Sequence, residues 1–527
     1  MMMPCVAIAA VSICVLSCSD NDDNETGFNK PYVIEVEEGM TMPANEFLIV
    51  PATSDCDQAV INALNSLERV TNVKAFKLNT RYDYYNEQTV TKTAYYFNYK
   101  QYIDHDNPSK GWFKQQCVLT VAGHDRPTVL HTEGYAFEDK RNDLRVIGEP
   151  TLVSVLNANC LQVEYRYFGW SLPEGYTNRW NYFNAKQHSA DLHDIVSDIK
   201  QCGIVGEETK WLATGVSKNG MTTAHYAYYH PNDMDAYVPF CAPFLLSLDD
   251  KRPYTFILSK DAFDEDTEKL QMVKDAFVNF FSNKQLQTAC AEMLRWYKPS
   301  LSSYSDEFLI KYLMCYMFVK YYPKMSYIKF SRWESMIPKA GDLPDKYYRF
   351  IMADEYTRYP GETSEMYYRR RDVEKDMTLD SLLWQQPWHI TRAEKQKRHF
   401  PYYVQACMEL GSYGIDLSWI EHLLTPEQKE YINVTMDPST YGVSYDNGAF
   451  TKEFLDGMKQ STCNMMFVYG MQDPWTGGQI PYDKMGVNCH KLFIQNGTHN
   501  DFIDMWNQSE KAELFKWLYS LGFDIGE

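Results

Sequence analysis

Ser217, Asp473 and His499 are the residues whose types and settings point most directly to chemistry. Ser217 lies in Lys210-Trp-Leu-Ala-Thr-Gly-Val-Ser-Lys-Asn-Gly220, where a buried-strand pattern breaks into the helix pattern Met221-Thr-Thr-Ala-His-Tyr-Ala-Tyr-Tyr229. Gly215 lets the backbone turn sharply there, and a serine at such a break presents its hydroxyl outward. The pattern expected of a nucleophile is G-x-S-x-G; here Asn219 takes the fifth position and Gly220 follows it. Taken alone, that serine reads as a turn residue. Two later apolar runs change the reading. Asn464 to Gly470 leads into Met-Gln-Asp473-Pro-Trp475, and Lys491 to Gln495 leads into Asn496-Gly-Thr-His499. A serine hydroxyl needs a neighbouring base to become a nucleophile, and a carboxylate fixes that base's tautomer and stabilises its cation. His499 is the candidate base and Asp473 its orienter. The developing oxyanion needs N–H donors, which the N–H of Lys218 and one from Glu133-Gly134-Tyr135 would supply.

The elements that must position these residues follow from periodicity. Asp55 to Val73 has helical spacing. Thr93 to Asp104 and Trp112 to Val121 are aromatic and β-branched runs that predict a hairpin at a sheet edge. Pro127 to Thr132 and Cys160 to Arg166 predict short buried strands, and Asn184 to Lys200 a helix. Strand, helix, strand, helix around Ser217 predicts a parallel α/β sheet. From about 249 to 410 the sequence is charged and aromatic with helical spacing (265–281, 286–297, 308–322), which predicts a helical cap inserted into the α/β core of 46–248 and 411–527. The Arg369-Arg-Arg371 run reads as a solvated face, and Ser509 to Leu521 as a final helix.

The chain of 527 residues is 45% hydrophobic and 15% aromatic, with 40 tyrosines, so it has ample material for a large core. A net charge of -19 and the absence of a basic stripe exclude nucleic acid as a partner. The apolar run Val6 to Leu16, ending in Val15-Leu-Ser-Cys18, predicts a lipoprotein signal over 1–18 with Cys18 as the lipidated residue, although no lysine or arginine precedes the run. An acidic tract, Ser19 to Glu25, opens the tether and irregular approach of 19–45; it resembles surface-export signals of Bacteroidetes lipoproteins. A lipid anchor in the cell envelope, facing the surface or the periplasm, is the expected location. Of 13 cysteines none makes a C-x-x-C pair, which leaves zinc-ribbon and thioredoxin readings without support, while an exported protein could form disulfides that the sequence does not pair. Cys117, Cys160, Cys241 and Cys463 sit in apolar runs and read as plain buried thiols. No H-E-x-x-H occurs, and His188/His193 and His225/His230 are each five apart, off a common helical face. No metal and no cofactor is expected.

Strung together, Gln101-Tyr-Ile-Asp-His105, Thr132-Glu-Gly-Tyr135, Val163 to Pro173, Ala190 to Ile195, the Ser217 segment, Pro231 to Asp235 with Cys241-Ala-Pro243, Gln405 to Gly411, Gly470 to Trp475 and Gly497-Thr-His499 resemble the secreted bacterial tripeptidyl (prolyl tri/tetrapeptidyl) aminopeptidases, serine peptidases distantly similar to prolyl carboxypeptidase. The resemblance implies an α/β-hydrolase fold with a helical cap and cleavage of short peptides from free N-termini, with a preference involving proline. It puts Ser217, Asp473 and His499 on the triad positions. It also suggests an ion pair between Glu164 and Arg166 beneath the site, and Glu133 or Glu409, the latter one helical turn from Gln405, as contacts for the substrate's N-terminus, with a buried structural hydrogen bond as the alternative role of either carboxylate. Asn219 departs from the family's G-x-S-K-G-G and predicts looser packing of the helix on its strand. An esterase using the same triad, and a binding lipoprotein that has lost activity, are the competing readings.

Overall fold

The structure, a computed structural model, describes residues 55–83, 88–137, 149–173, 180–297, 301–327, 329–352, 401–432, 436–499, 501 and 503–525. The signal, Cys18, the tether and the Arg369–Arg371 run lie outside the described residues.

Nine strands form one sheet: β1 (Val70–Asp83), β2 (Gln88–Tyr102), β3 (Trp112–Thr120), β4 (Thr128–Thr132), β5 (Asn159–Val163), β6 (Trp211–Val216), β7 (Ala236–Phe240), β8 (Met465–Gly470) and β9 (Cys489–Ile494). Their order is β1-β2-β3-β5-β4-β6-β7-β8-β9. The first three run antiparallel and β5 onward pair parallel, with the β4/β5 crossing of the expected α/β-hydrolase fold. Consecutive residues of the central strands face opposite sides, and both sides are covered. Leu130, Leu161, Ala213 and Phe467 pack into a core with helices α1 (Asp55–Ser66), α2 (Ala185–Gln201), α3 (Lys218–Tyr229) and α8 (Ala449–Met458). Their neighbours Val129, Cys160, Leu212 and Met466 pack beneath α9 (Gln508–Ser520). Burial on both faces is why these strands read as continuous apolar runs.

The β2/β3 hairpin is not at the sheet's edge, because β1 pairs along β2 from Val70↔Tyr99 to Asp83↔Gln88. The helical spacing of 55–73 ends early, at Ser66. Strand β7 carries Pro239 in a central position; its partners on β8 are Tyr237↔Met465 and Phe240↔Val468, so the residue with no N–H to donate is skipped on that side.

Between β7 and β8 a second body has its own core. Helices α4 (Thr267–Ser282), α5 (Lys284–Tyr297), α6 (Asp306–Tyr327) and α7 (Pro344–Met352) bury Phe277, Leu294, Phe318 and Phe350 together, and Ile415, Ile420 and Ile432 join the same cluster. Its two chain ends are paired, with Ser412 N–H donating to Ser247 O and Gly414 N–H to Asp250 O at 3.0 and 2.9 Å. No helix among the described residues is long and apolar enough to cross a membrane.

Candidate active site

Ser217 follows β6 directly and holds a backbone of φ 63°, ψ −125°, unfavourable for any residue with a Cβ. Two glycines make this conformation possible. A Cβ on Gly215 would lie 2.6 Å from the backbone of Asn219, and one on Gly220 2.5 Å from Phe240 O. The helix therefore packs closely on β6 and β7 through Gly220, one position later than the expected spacing, and Asn219 does not loosen it. Asn219 instead ties the turn to the loop after β4: its Oδ1 accepts from Gly134 N–H at 2.7 Å and its Nδ2 donates to Glu133 Oε2 at 2.9 Å.

Asp473 and His499 meet as the sequence predicts. His499 Nδ1 is 2.7 Å from Asp473 Oδ2, with Asp473 wholly buried. A carboxylate can only accept, so the proton sits on Nδ1 and Nε2 keeps its lone pair. Asp473 Oδ1 accepts from Trp475 N–H at 3.1 Å. Cys241, just past β7, lies within 4.8 Å of Asp473; burial first, then that carboxylate, pushes its thiol well above the usual range. No local pattern marks Cys241 for this place, since only the sheet order puts β7 between the strands that deliver Ser217 and Asp473. The helical body clamps the same loops. His499 N–H donates to Ser326 O at 2.7 Å, Phe330 N–H to Gln472 Oε1 at 2.9 Å, and Lys329 Nζ is 3.1 Å from Asp501 Oδ2.

The candidate oxyanion donors divide. Lys218 opens its helix, so its N–H has no acceptor within that helix. The N–H of Gly134 is taken by Asn219 Oδ1 and is not a donor to substrate, which corrects the expectation for that residue. Tyr135, which lines the cleft beside Ser217, is the other expected donor. The carbonyl of Gly134 accepts from Lys218 Nζ, and in a planar trans peptide the Tyr135 N–H must point the opposite way. The Lys218 ammonium lies over Tyr165, 3.8 Å from the ring centroid, and over Phe168 at 5.0 Å. Burial drives its pKa well below the ordinary range, against the charges of Glu409 and Glu133. Tyr135, Ser217, Met221, Leu245, Tyr402 and Trp475 line a cleft above this arrangement.

The remaining expectations are redirected. Glu164 and Arg166 do not pair. Arg166 forks onto Asp191 of α2, with Nε–Oδ2 2.7 Å and Nη2–Oδ1 2.6 Å, while Glu164 accepts from the N–H groups of Phe137, Trp170 and Ser171. Burial would raise the Asp191 carboxyl, but the guanidinium holds it well below the usual range. That contact is 25 residues apart in sequence and so invisible to local spacing. Gln405 and Glu409 do touch, at 2.7 Å, but Glu409 also caps the start of α2 through Ala185 N–H at 2.9 Å. Its carboxyl thus makes the buried structural hydrogen bonds that were the alternative to a substrate contact. Gln405 likewise bonds Tyr165 Oη at 3.0 Å. Glu133, tied to Asn219, lies 3.4 Å from His131 Nδ1. His193 of α2 comes within ligand distance of His230 and Asp233, which share the turn after α3. The two imidazoles stack at 4.3 Å with 14° between planes, so their in-plane lone pairs do not converge on one ion.

Burial pushes Glu409 up to about 7, against the bonds from Gln405 and Ala185 and the charge of Lys218. A carboxyl whose folded pKa is raised binds more protons in the folded state, so its contribution to stability is complete below about pH 4.5 and is lost as pH rises through about 7. Glu409→Gln is expected to remove that dependence: relative to wild type it should gain on the order of 3 kcal/mol between pH 4.5 and pH 8 in denaturant unfolding. Equal ΔΔG at both pH values would contradict this.

Comparison with known proteins bears on what the arrangement does. The model of the PS-10 peptidase S37 family matches residues 72–293, a span that includes Ser217. The prolyl tri/tetrapeptidyl aminopeptidase of Streptomyces mobaraensis is 26% identical over 433 residues, covering 80% of this chain and 79% of its own. Two solved structures are looser likenesses. Proline iminopeptidase of Mycobacterium smegmatis has 8% identity and TM-score 0.33, over 80% of this chain and 98% of that one. Epoxide hydrolase A of Mycobacterium thermoresistibile has 12% identity and TM-score 0.29, over 78% and 97%.

Proposed function

We propose that this chain, similar over residues 72–293 to the S37 family of serine peptidases, releases short peptides, tripeptides with a proline-related preference, from free N-termini through an acyl-enzyme. The observation that carries the proposal is the buried Asp473–His499 contact at the carboxyl ends of β8 and β9, in the sheet whose β6 ends at Ser217. Nε2 of His499 would accept the Ser217 proton as Oγ attacks the scissile carbonyl, and return it to the departing amine; water then repeats the sequence to free the acylated serine. Asp473 stabilises the imidazolium that forms in each half. The N–H groups of Lys218 and Tyr135 would receive the oxyanion, the second aimed by the Lys218 ammonium beneath it. The aromatic walls of the cleft, Tyr135, Tyr402 and Trp475, suit a pyrrolidine ring.

The test is a matched pair of proline-containing peptides, one with a free and one with an acetylated N-terminus, digested and read by mass spectrometry. Release of tripeptides from the free peptide alone is expected. Equal cleavage of both, or hydrolysis confined to short acyl esters, would replace the aminopeptidase with an endopeptidase or an esterase.

We also propose that Cys18 carries lipid and becomes the first residue after removal of 1–17, anchoring the protein in the cell envelope on the surface or periplasmic side. The support is the sequence Val6 to Cys18 and the acidic tract behind it. Detergent-phase partitioning of the expressed protein that persists in Cys18→Ala would refute it.

A further inference from the structure

Cys463 and Cys489 lie 26 residues apart, at the amino-terminal approaches to β8 and β9. Met465 pairs with Cys489 across the two strands, which sets Cys463 beside it. Cys489 Sγ reaches Cys463 O at 4.0 Å, and each thiol is close enough to shift the other's acidity. Both are small buried residues near the surface, 6% and 8% exposed, whereas Cys117 and Cys160 are enclosed at 0% and 1% on separate positions of β3 and β5. Ser461 Oγ donates to Cys463 Sγ at 3.1 Å. A sulfur that receives a hydrogen bond from a hydroxyl is the one of the pair that gives up its proton first.

We infer that Cys463 and Cys489 form a disulfide that staples β8 to β9. The reaction needs a disulfide as oxidant. The Cys463 thiolate attacks it, forming a mixed disulfide and expelling one thiolate; Cys489, losing its proton to water, then attacks the Cys463 sulfur and expels the second. Two protein thiols and one low-molecular-weight disulfide become one protein disulfide and two small thiols. The acidity order fits the roles. The Cys489 thiol, then the bond from Ser461, holds Cys463 below the usual thiol range in spite of burial, while Cys489 is raised by Cys463 and by burial. The two strands so joined are the ones whose far ends carry Asp473 and His499, so the staple fixes their register at the end opposite the candidate site. The plain buried thiol expected at Cys463 is thereby reassigned.

The test uses the full chain, equilibrated with oxidised glutathione, denatured in iodoacetamide without reductant and mapped by mass spectrometry. The expected result is a cross-linked peptide pair joining Cys463 to Cys489, lighter by two hydrogens than the sum of its parts, and a fall of two in alkylatable thiols. Alkylation of both cysteines at every glutathione ratio, or a stable glutathione adduct on either, overturns the proposal. As a second measurement, reductant should lower the Tm of the oxidised wild type and leave that of the double variant Cys463→Ala, Cys489→Ala unchanged. An equal response of both proteins to reductant counts against the staple. Should the double variant not fold, the wild-type map decides alone.

Discussion

Ser217→Ala is expected to lower kcat for tripeptide release by at least about 10⁴-fold with little change in KM. The reasoning separates chemistry from folding. Alanine keeps the Cβ that already tolerates φ 63° and leaves the close contacts of Gly215 and Gly220 untouched, so the turn keeps its shape. Only Oγ is lost, and with it the atom that would be acylated. The N–H groups of Lys218 and Tyr135 would still polarise a bound carbonyl, which leaves a small residual rate over water. Steady-state kinetics on a peptide with a free N-terminus, alongside circular dichroism to verify folding, measures the effect. Activity within tenfold of wild type would remove Ser217 from the mechanism. The same variant should not react with a fluorophosphonate, which distinguishes a lost nucleophile from a lost binding site.

Asp473→Asn is the second large effect, expected at roughly 10³ to 10⁴ in kcat/KM near neutral pH. Asparagine matches aspartate in size, and its oxygen can keep the bond from Trp475 N–H. Its amide nitrogen then faces His499 and donates where the carboxylate accepted. Imidazole must answer with a lone pair on Nδ1, which moves its proton to Nε2, the atom that should receive the serine proton. The wrong tautomer is thus locked in by the hydrogen bond that formerly selected the right one. Fluorophosphonate labelling of Ser217 should slow in parallel with turnover, because acylation itself is impaired. A loss of less than tenfold, or a loss of turnover with labelling intact, would show that Asp473 does not act through His499.

The parts of the fold that could be read from sequence were those whose cause is local. Strands β4, β5 and β8 are short apolar runs buried on both faces, and β9 is a short run with Cys489, Leu492 and Ile494 buried. Asp473 and His499 were legible for the same reason, since each follows its strand within a few residues. Strand β1 was masked by the helical spacing that precedes it. The alternation of Phe76, Leu78 and Tyr82 with Lys77, Asn79 and Arg81 would have marked it. Strand β7 was hidden by Pro239, which the ladder accommodates by leaving that position unpaired on the β8 side. The contacts of Arg166 with Asp191, of Glu409 with the start of α2 and of Cys241 with Asp473 join segments that only the tertiary fold brings together. Residue type announced that these groups would need partners once buried, but not which partners.

The left-handed backbone at Ser217 has a meaning for how this sequence can drift. A residue with a Cβ held at φ 63° and ψ −125° costs on the order of 1–3 kcal/mol, a cost that glycine would largely avoid. Selection for folding alone would therefore favour glycine at position 217, and only selection for turnover opposes it. In a lineage relieved of catalysis this position should be among the first to change, and the change should make the protein more stable.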